Sequence, residues 1–298
     1  MIHIIKMDMY RLFKTKSAWI ILILSMLFTL FSVSFIGIDI DDMKENQSYN
    51  NSEDYDSDYY LRYGNDAEIN IHNMNIGIMI HTNNEWCRDG YKISVWELFN
   101  ANAASRIFII FIGIAAAIFV RAEQKRGYIK AIAGLLPSRA GLAFSKFFTT
   151  GVYTIILFAA NTAVAAVSSK LTFGYINFGH LKEFIPTTLT LLLLHISISA
   201  LVTAICIFTN SSGLTICISA ILGSGMIECA YSLINFIIAH YFGIEKFNIM
   251  RYVISCNTAV MGGQPQRCDF IRACIVSVMF IAVCMSSGIY LMKKRDVK

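Results

Sequence analysis

Residues 18–38 read AWIILILSMLFTLFSVSFIGI, a run without one charged side chain. Wound as a helix at about 1.5 Å per residue, such a run is about 30 Å long, the thickness of a bilayer's hydrocarbon core. Lipid offers no partner to backbone N–H and C=O groups, so a run of this length must be a helix. Working outward, further apolar blocks occupy 103–120, 147–168, 187–208, 213–240 and 270–292. The expected fold is an all-α membrane protein with six transmembrane helices. The composition agrees: of 298 residues, 56% are hydrophobic and 15% charged, against about 45–50% and about a quarter in soluble domains. That excludes a soluble cytosolic enzyme. In the second block only 107–120 is fully apolar, so it reaches span length by including Arg106. The fifth is longer than one crossing needs, which predicts a tilted or broken span.

Basic residues set the orientation. Lys6, Arg11, Lys14 and Lys16 precede the first span. Arg121, Lys125, Arg126, Lys130, Arg139 and Lys146 follow the second, and Lys293, Lys294, Arg295 and Lys298 follow the sixth. These 14 of the 25 basic residues fall on one side of a six-span chain. Both termini and the 121–146 segment are therefore expected in the cytoplasm of a plasma-membrane protein. The loop 39–102 lies opposite, as a large extracellular loop. Its residues 39–100 hold 13 acids against four bases, a field that attracts cationic amphipathic molecules or simply keeps the outer face solvated. The first span is expected to be retained, because its downstream flank is too acidic for a cleaved leader.

Residues 1–17 carry Ile2, Ile5, Met9, Leu12 and Phe13 at helical spacing, with Lys6, Arg11 and Lys14 off that stripe. This predicts an interfacial amphipathic helix, or else a continuation of the first span. Catalytic and metal patterns are missing. The chain has no G-x-x-x-x-G-K-[ST] phosphate loop, no His-Glu-x-x-His and no Cys-x-x-Cys. Leu222-Gly223-Ser224-Gly225 with His240 departs from intramembrane serine proteases at Leu222, and a small-residue cluster suits close helix packing better. Asp54, Asp56 and Asp58 alternate like a calcium loop, but Tyr59 and Asn65 break that pattern. Cys256 and Cys268 are close enough in sequence to form a disulfide.

Polar groups inside the spans are few. Glu228 is the candidate for a translocation pathway, the alternatives being a structural pair with a basic residue or a position near water. His195, Asn161 and Asn235 are expected to hydrogen-bond between helices. Arg106 is expected to snorkel to the outer face.

The segment 121–146, RAEQKRGYIKAIAGLLPSRAGLAFSK, is basic and tethered at both ends by spans. It resembles the corresponding segment of type-2 ABC exporter permeases, which carry Glu-x-x-x-Gly-[Thr/Tyr]-[Ile/Leu]-Lys, then Ser-Arg, then a Lys opening the third span. Here those positions are Glu123, Gly127, Tyr128, Ile129, Lys130, Ser138, Arg139 and Lys146. The opening Lys6-Met7-Asp8 and the ending Lys294-Arg295-Asp296-Val297-Lys298 are similar to that family as well. The likeness is strongest to small bacterial permeases for peptides, bacteriocins, drugs and phenol-soluble modulins. The roughly 60-residue outer loop departs from the many members that have a shorter one.

The resemblance implies a half-transporter. Two permease copies, as a homodimer, would each sit on a separate ABC ATPase subunit. This chain would bind no cofactor of its own, ATP and Mg being held by the ATPase. Glu123, Gly127, Tyr128, Lys130, Ser138 and Arg139 would couple ATPase closure to the spans. The segment 241–269 would be extracellular or re-entrant, and 293–298 a cytoplasmic tail. The substrate would be an amphipathic or antimicrobial peptide or a hydrophobic drug drawn from the bilayer, and no nucleic acid is implicated. The rival reading is a non-transporting membrane sensor that binds a cationic ligand through its acidic loop.

Overall fold

A computed structural model describes residues 2–49, 84–88, 90–125, 140–242, 247–263 and 265–294. Ten α-helices are present among them: α1 Ile2–Lys14, α2 Lys16–Tyr49, α3 Val95–Ala104, α4 Ile107–Lys125, α5 Ala140–Phe173, α6 Leu181–Thr209, α7 Ser212–Gly223, α8 Ile227–Phe242, α9 Ile254–Val260 and α10 Arg267–Lys294. Short 3-10 turns occupy Asn84–Cys87 and Ile249–Tyr252, and the described residues contain no strand. Asp54, Asp56, Asp58, Tyr59 and Asn65 lie outside the described residues, as do Gly127, Tyr128, Lys130, Ser138 and Arg139. Glu123 lies within α4.

By length and composition, α2, α5, α6 and α10 can each cross a membrane. Two bent pairs pass the same test only when taken together, each as a broken span or a re-entrant loop: α3 and α4 meet at 64°, and α7 and α8 at 69°. The described helices therefore supply four continuous crossings, or six when each bent pair is one span. The bend in the fifth block is the break expected from its excess length. The bend in the second was not expected. Residues 95–102, expected in the acidic outer loop, belong to a helix inside the bundle.

The reason is local. Ser94 and Glu97 form a capping box: the Glu97 N–H donates to Ser94 Oγ (3.1 Å) and the Ser94 N–H to Glu97 Oε2 (2.7 Å). Two of the helix's orphan donors are thus satisfied. Leu98 and Phe99, both fully buried, then turn inward, and Asn102 satisfies itself on Leu98 O and Ser32. The first helix likewise overruns its expected end at residue 38 and continues to Tyr49. Its Val33, Ile36 and Ile40 pack on Trp86, Ile93 and Leu98 as a small second core.

α1 ends before α2 begins, so it is a separate helix rather than the first turns of the first span. Its buried face differs from the expected stripe. Asp8 and Leu12 are the buried positions, while Phe13 is 46% exposed. Ser145 Oγ donates to Asp8 Oδ2 at 2.5 Å, which ties α1 to the start of α5. α5 starts at Ala140, earlier than expected, so Lys146 is not a loop residue. It is fully buried, with its ammonium 5.6 Å from the Phe119 ring centre.

α6 is the central helix: 67% of its most apolar window is buried, against 22% for α10. Polar groups tie its neighbours together. Thr29 donates to Asn161 Oδ1 (2.7 Å), Asn161 Nδ2 donates to Ser25 Oγ (3.0 Å), and the Thr150 and Thr203 hydroxyls are 3.1 Å apart. Interhelical bonds of this kind contribute about 0.6 kcal/mol each on average. Tyr153 donates to Ala18 O (3.0 Å) and Cys206 Sγ lies 3.9 Å from Ala117 O. The start of α2, the end of α4, the start of α5 and the end of α6 therefore share one end of the bundle, called the base below.

α4 and α7 approach closely because Gly113 faces Ser219, where any added Cβ would overlap the serine side chain. Gly113→Ala is expected to destabilise the bundle by about 1–3 kcal/mol, the usual cost of overpacking. Adding Ser219→Gly should restore most of it. Thermal unfolding of the two purified variants in detergent checks this; equal stability of Gly113→Ala and wild type would contradict the contact.

Candidate functional site

The two bent pairs meet at their bends. At the first, Ser105 closes α3 by donating its N–H to Ala101 O (3.1 Å). Arg106 then turns the chain with φ at 69°. A left-handed conformation costs a residue with a Cβ about 1–2 kcal/mol, so something must hold it. At the second bend, residues 224–226 form a turn in which Gly225 has φ 75°. Ser224 N–H donates to Ala220 O (2.8 Å) and Glu228 N–H to Gly225 O (2.9 Å). Glu228 thereby falls in the first turn of α8, where the helix dipole favours a carboxylate.

Arg106 Nη1 and Glu228 Oε1 form an ion pair, with side chains only 7% and 13% exposed. Gly225 makes room for the guanidinium, and Gly223 for the neighbouring Ile110. A Cβ on Gly225 would stand 2.9 Å from Arg106 Nη2 and 3.2 Å from its Cζ, and one on Gly223 would strike Ile110. A third element joins from the 241–269 segment: Cys256 Sγ, on α9, donates to Glu228 Oε1 at 3.8 Å. Burial, followed by the Glu228 charge, pushes the Cys256 thiol up to about 12. It stays a neutral, weak donor.

Several expectations are corrected at this junction. Arg106 does not snorkel; it is 5% exposed and points at Glu228. Glu228 has the basic partner that was one of its three readings. Cys256 and Cys268 are both free, the first buried and the second exposed at the start of α10. In the Leu222–Gly225 cluster, Ser224 Oγ donates to Ile221 O (3.2 Å). His240 stacks on Phe236 with ring centres 5.7 Å apart, about 18 Å of helix axis further on. The cluster makes the bend and seats the guanidinium.

The other in-span polar residues divide. Asn161 bonds across helices as expected, and Asn235 Nδ2 reaches Asn248 Oδ1 (2.9 Å) on the chain beyond α8. His195 does not bond between helices. Its Nδ1–H donates to Leu191 O of its own helix (2.8 Å), and its ring packs edge-on to Phe158 at 4.8 Å. The histidine is core packing between α5 and α6.

Sequence reasoning missed the Arg106–Glu228 pair and the Asp8–Ser145 contact. The first had a trace in the sequence: Arg106 and Glu228 are each the only charged side chain of their apolar block, 103–120 and 213–240. The second had none, because a lone Asp in an amphipathic stretch reads as solvated.

Glu228→Gln would leave Arg106 buried without its counter-charge, at an expected cost of about 3–5 kcal/mol. Arg106→Gln with Glu228→Gln removes both charges and should cost less than either single change. Thermal unfolding of the three variants measures it. A double variant as unstable as the sum of the singles would mean that the two residues act independently.

Residues 74–226, just over half of the chain, match the family model described as ABC-2 family transporter protein. The matched stretch runs from before α3 to the turn after α7, so it holds both bends and the central helix. No curated protein matches the chain. Apolar helices long enough to span, two bent pairs and this match agree with one another: the chain belongs to the ABC-2 family of transporter proteins, a membrane component of an ABC transporter.

Proposed function

We propose that this chain is the permease half of an ATP-driven exporter in a bacterial plasma membrane, six spans with both termini cytoplasmic. It works as a homodimer with each copy on a separate ABC ATPase. Membership of the ABC-2 family carries the reading, and the absence of a phosphate loop from the sequence supports the division of labour. The same membership favours transport over the sensor alternative. Amphipathic or antimicrobial peptides and hydrophobic drugs are the substrate class best suited to a strongly acidic outer segment.

The mechanical route follows α4. Its base abuts Lys146 through Phe119, beside the Ser145 that holds Asp8 of α1. From there the segment carrying Glu123, Gly127, Tyr128, Lys130, Ser138 and Arg139 joins α4 to α5, and that segment is our candidate for the ATPase contact. The far end of α4 is the Arg106 bend, about 28 Å away along the helix. Its flank is locked to α7 through Gly113 and Gly223. A push at the base therefore reaches Arg106, and through the ion pair it reaches Glu228 and α8. In this reading Glu228 lines the translocation pathway from the moving side of the second bend.

The permease should co-purify with an ATPase in equal amount. Glu123→Lys or Arg139→Glu should leave that association in place and lower substrate-stimulated ATP hydrolysis about tenfold, within the usual range of coupling free energies. Wild-type stimulation in both variants would remove the segment from the coupling route.

A further inference from the structure

Where α1 gives way to α2, the surface carries a shallow, open notch with apolar walls. Leu12, Ala18, Leu22 and Tyr153 form its floor and sides, and Phe13 and Trp19 flank it. The polar atoms nearby are turned away from it. Tyr153 spends its hydroxyl on Ala18 O (3.0 Å), and Trp19 donates its indole N–H to Phe13 O (2.8 Å). The notch continues onto a lipid-like surface, because Ile20, Ile23, Leu24 and Leu27 of α2 are all about half exposed.

Cations neighbour the lining residues along the chain, Lys14 directly after Phe13 and Lys16 two residues before Ala18. Lys14 ends α1 and Lys16 starts α2, and both are exposed. The Lys14 ammonium sits 5.6 Å from the centre of the Tyr10 ring, a surface residue 64% exposed. Lys6 is exposed on the same helix. The only acid before Asp39 is Asp8, and it is fully buried against Ser145. The exposed charge of α1 and of the first turns of α2 is therefore entirely positive.

An apolar notch with cations next to its lining residues, opening onto apolar surface, has the two-part chemistry of one kind of molecule. We infer that the α1–α2 notch binds an anionic phospholipid, with an acyl chain against Leu12, Ala18 and Leu22 and its phosphate on Lys14 and Lys16. The inference rests on the reading above that this end of the bundle is cytoplasmic, where anionic lipids give the leaflet its negative surface potential. A lipid held there would bridge α1 to the start of α2 and to α5, the three elements whose mutual position the base depends on.

The test uses the purified full-length chain, stripped of lipid and titrated with dioleoylphosphatidylglycerol or dioleoylphosphatidylcholine, with bound lipid read by native mass spectrometry. The wild type should bind the phosphatidylglycerol at least about fivefold more tightly, roughly the contribution of one surface cation. Lys14→Gln with Lys16→Gln, both exposed side chains, should make the two lipids equal. Ala18→Leu, which fills the notch, should weaken both. Lys170→Gln, at the far end of α5, should change nothing. Equal affinity of the wild type for the two lipids overturns the inference, as does a preference that survives the double lysine change. Because the readout involves no ATPase, such a failure leaves the exporter reading standing, and loss of ATPase association would leave the lipid site standing.

Discussion

A helix can break inside a membrane only where protein, not lipid, receives the backbone groups that the break releases. That constraint organises this fold. The chain breaks two of its apolar helical stretches and places the breaks against each other, so that each supplies what the other lacks. Ser105 and Ser224 close their helices with backbone bonds to Ala101 and Ala220. Arg106 fills the space that Gly225 leaves open, Gly223 admits Ile110 beside it, and Glu228 answers its charge. A side chain at 225 would press on the guanidinium, and one at 223 on Ile110. Without the carboxylate the guanidinium is a buried, unpaired cation. α9 is drawn in by the same pair through Cys256.

The base is held by a different principle. There the contacts join helix ends instead of helix breaks, and they are distributed: Asp8 with Ser145, Lys146 over Phe119, Tyr153 with Ala18, Thr150 with Thr203. Each is individually modest. Together they bind α1, α2, α4, α5 and α6 at one end while leaving the faces of α2 and α10 apolar and exposed. A distributed set yields gradually to a push, whereas a single ion pair between two bends is either made or broken. The two ends of α4 are thus held in different ways, as the lever proposed above requires.

The spans were legible because their signal is thermodynamic and local. An uncharged run of about 20 residues has one stable conformation in lipid whatever surrounds it, and α2, α5, α6 and α10 appear where the sequence placed them, lengthened at their ends. α3 was not legible by the same rule. Glu97, Asn100 and Asn102 interrupt its apolar run, and the Ser94-x-x-Glu97 cap is the local mark of a helix start. Its amides are buried because partners from other spans reach them: Ser32 for Asn102 and Thr188 for Asn100 (2.9 Å). Such partners lie 70 and 88 residues away, beyond any local pattern. Arg106 was misjudged for the same reason, since its partner is 122 residues on. The family likeness read from the chain's two ends and from 121–146 agrees with the match over 74–226.

The ion pair is a poor choice if stability alone is at issue. Apolar side chains of similar volume would hold two bends together as well or better, because burying two charges costs several kcal/mol each before their attraction returns any of it. Arg106 adds a left-handed backbone to that expense. What an apolar contact lacks is sharpness. Its energy falls smoothly as surfaces slide, while a buried pair drawn apart exposes two uncompensated charges within a short displacement. The bends are then either locked or, once water or another charge reaches Glu228, free to move separately. A transport cycle needs such a two-state element between the place where force enters and the place where the pathway opens. In this fold the buried Arg106–Glu228 pair sits at one end of α4, the helix that the proposed force route follows.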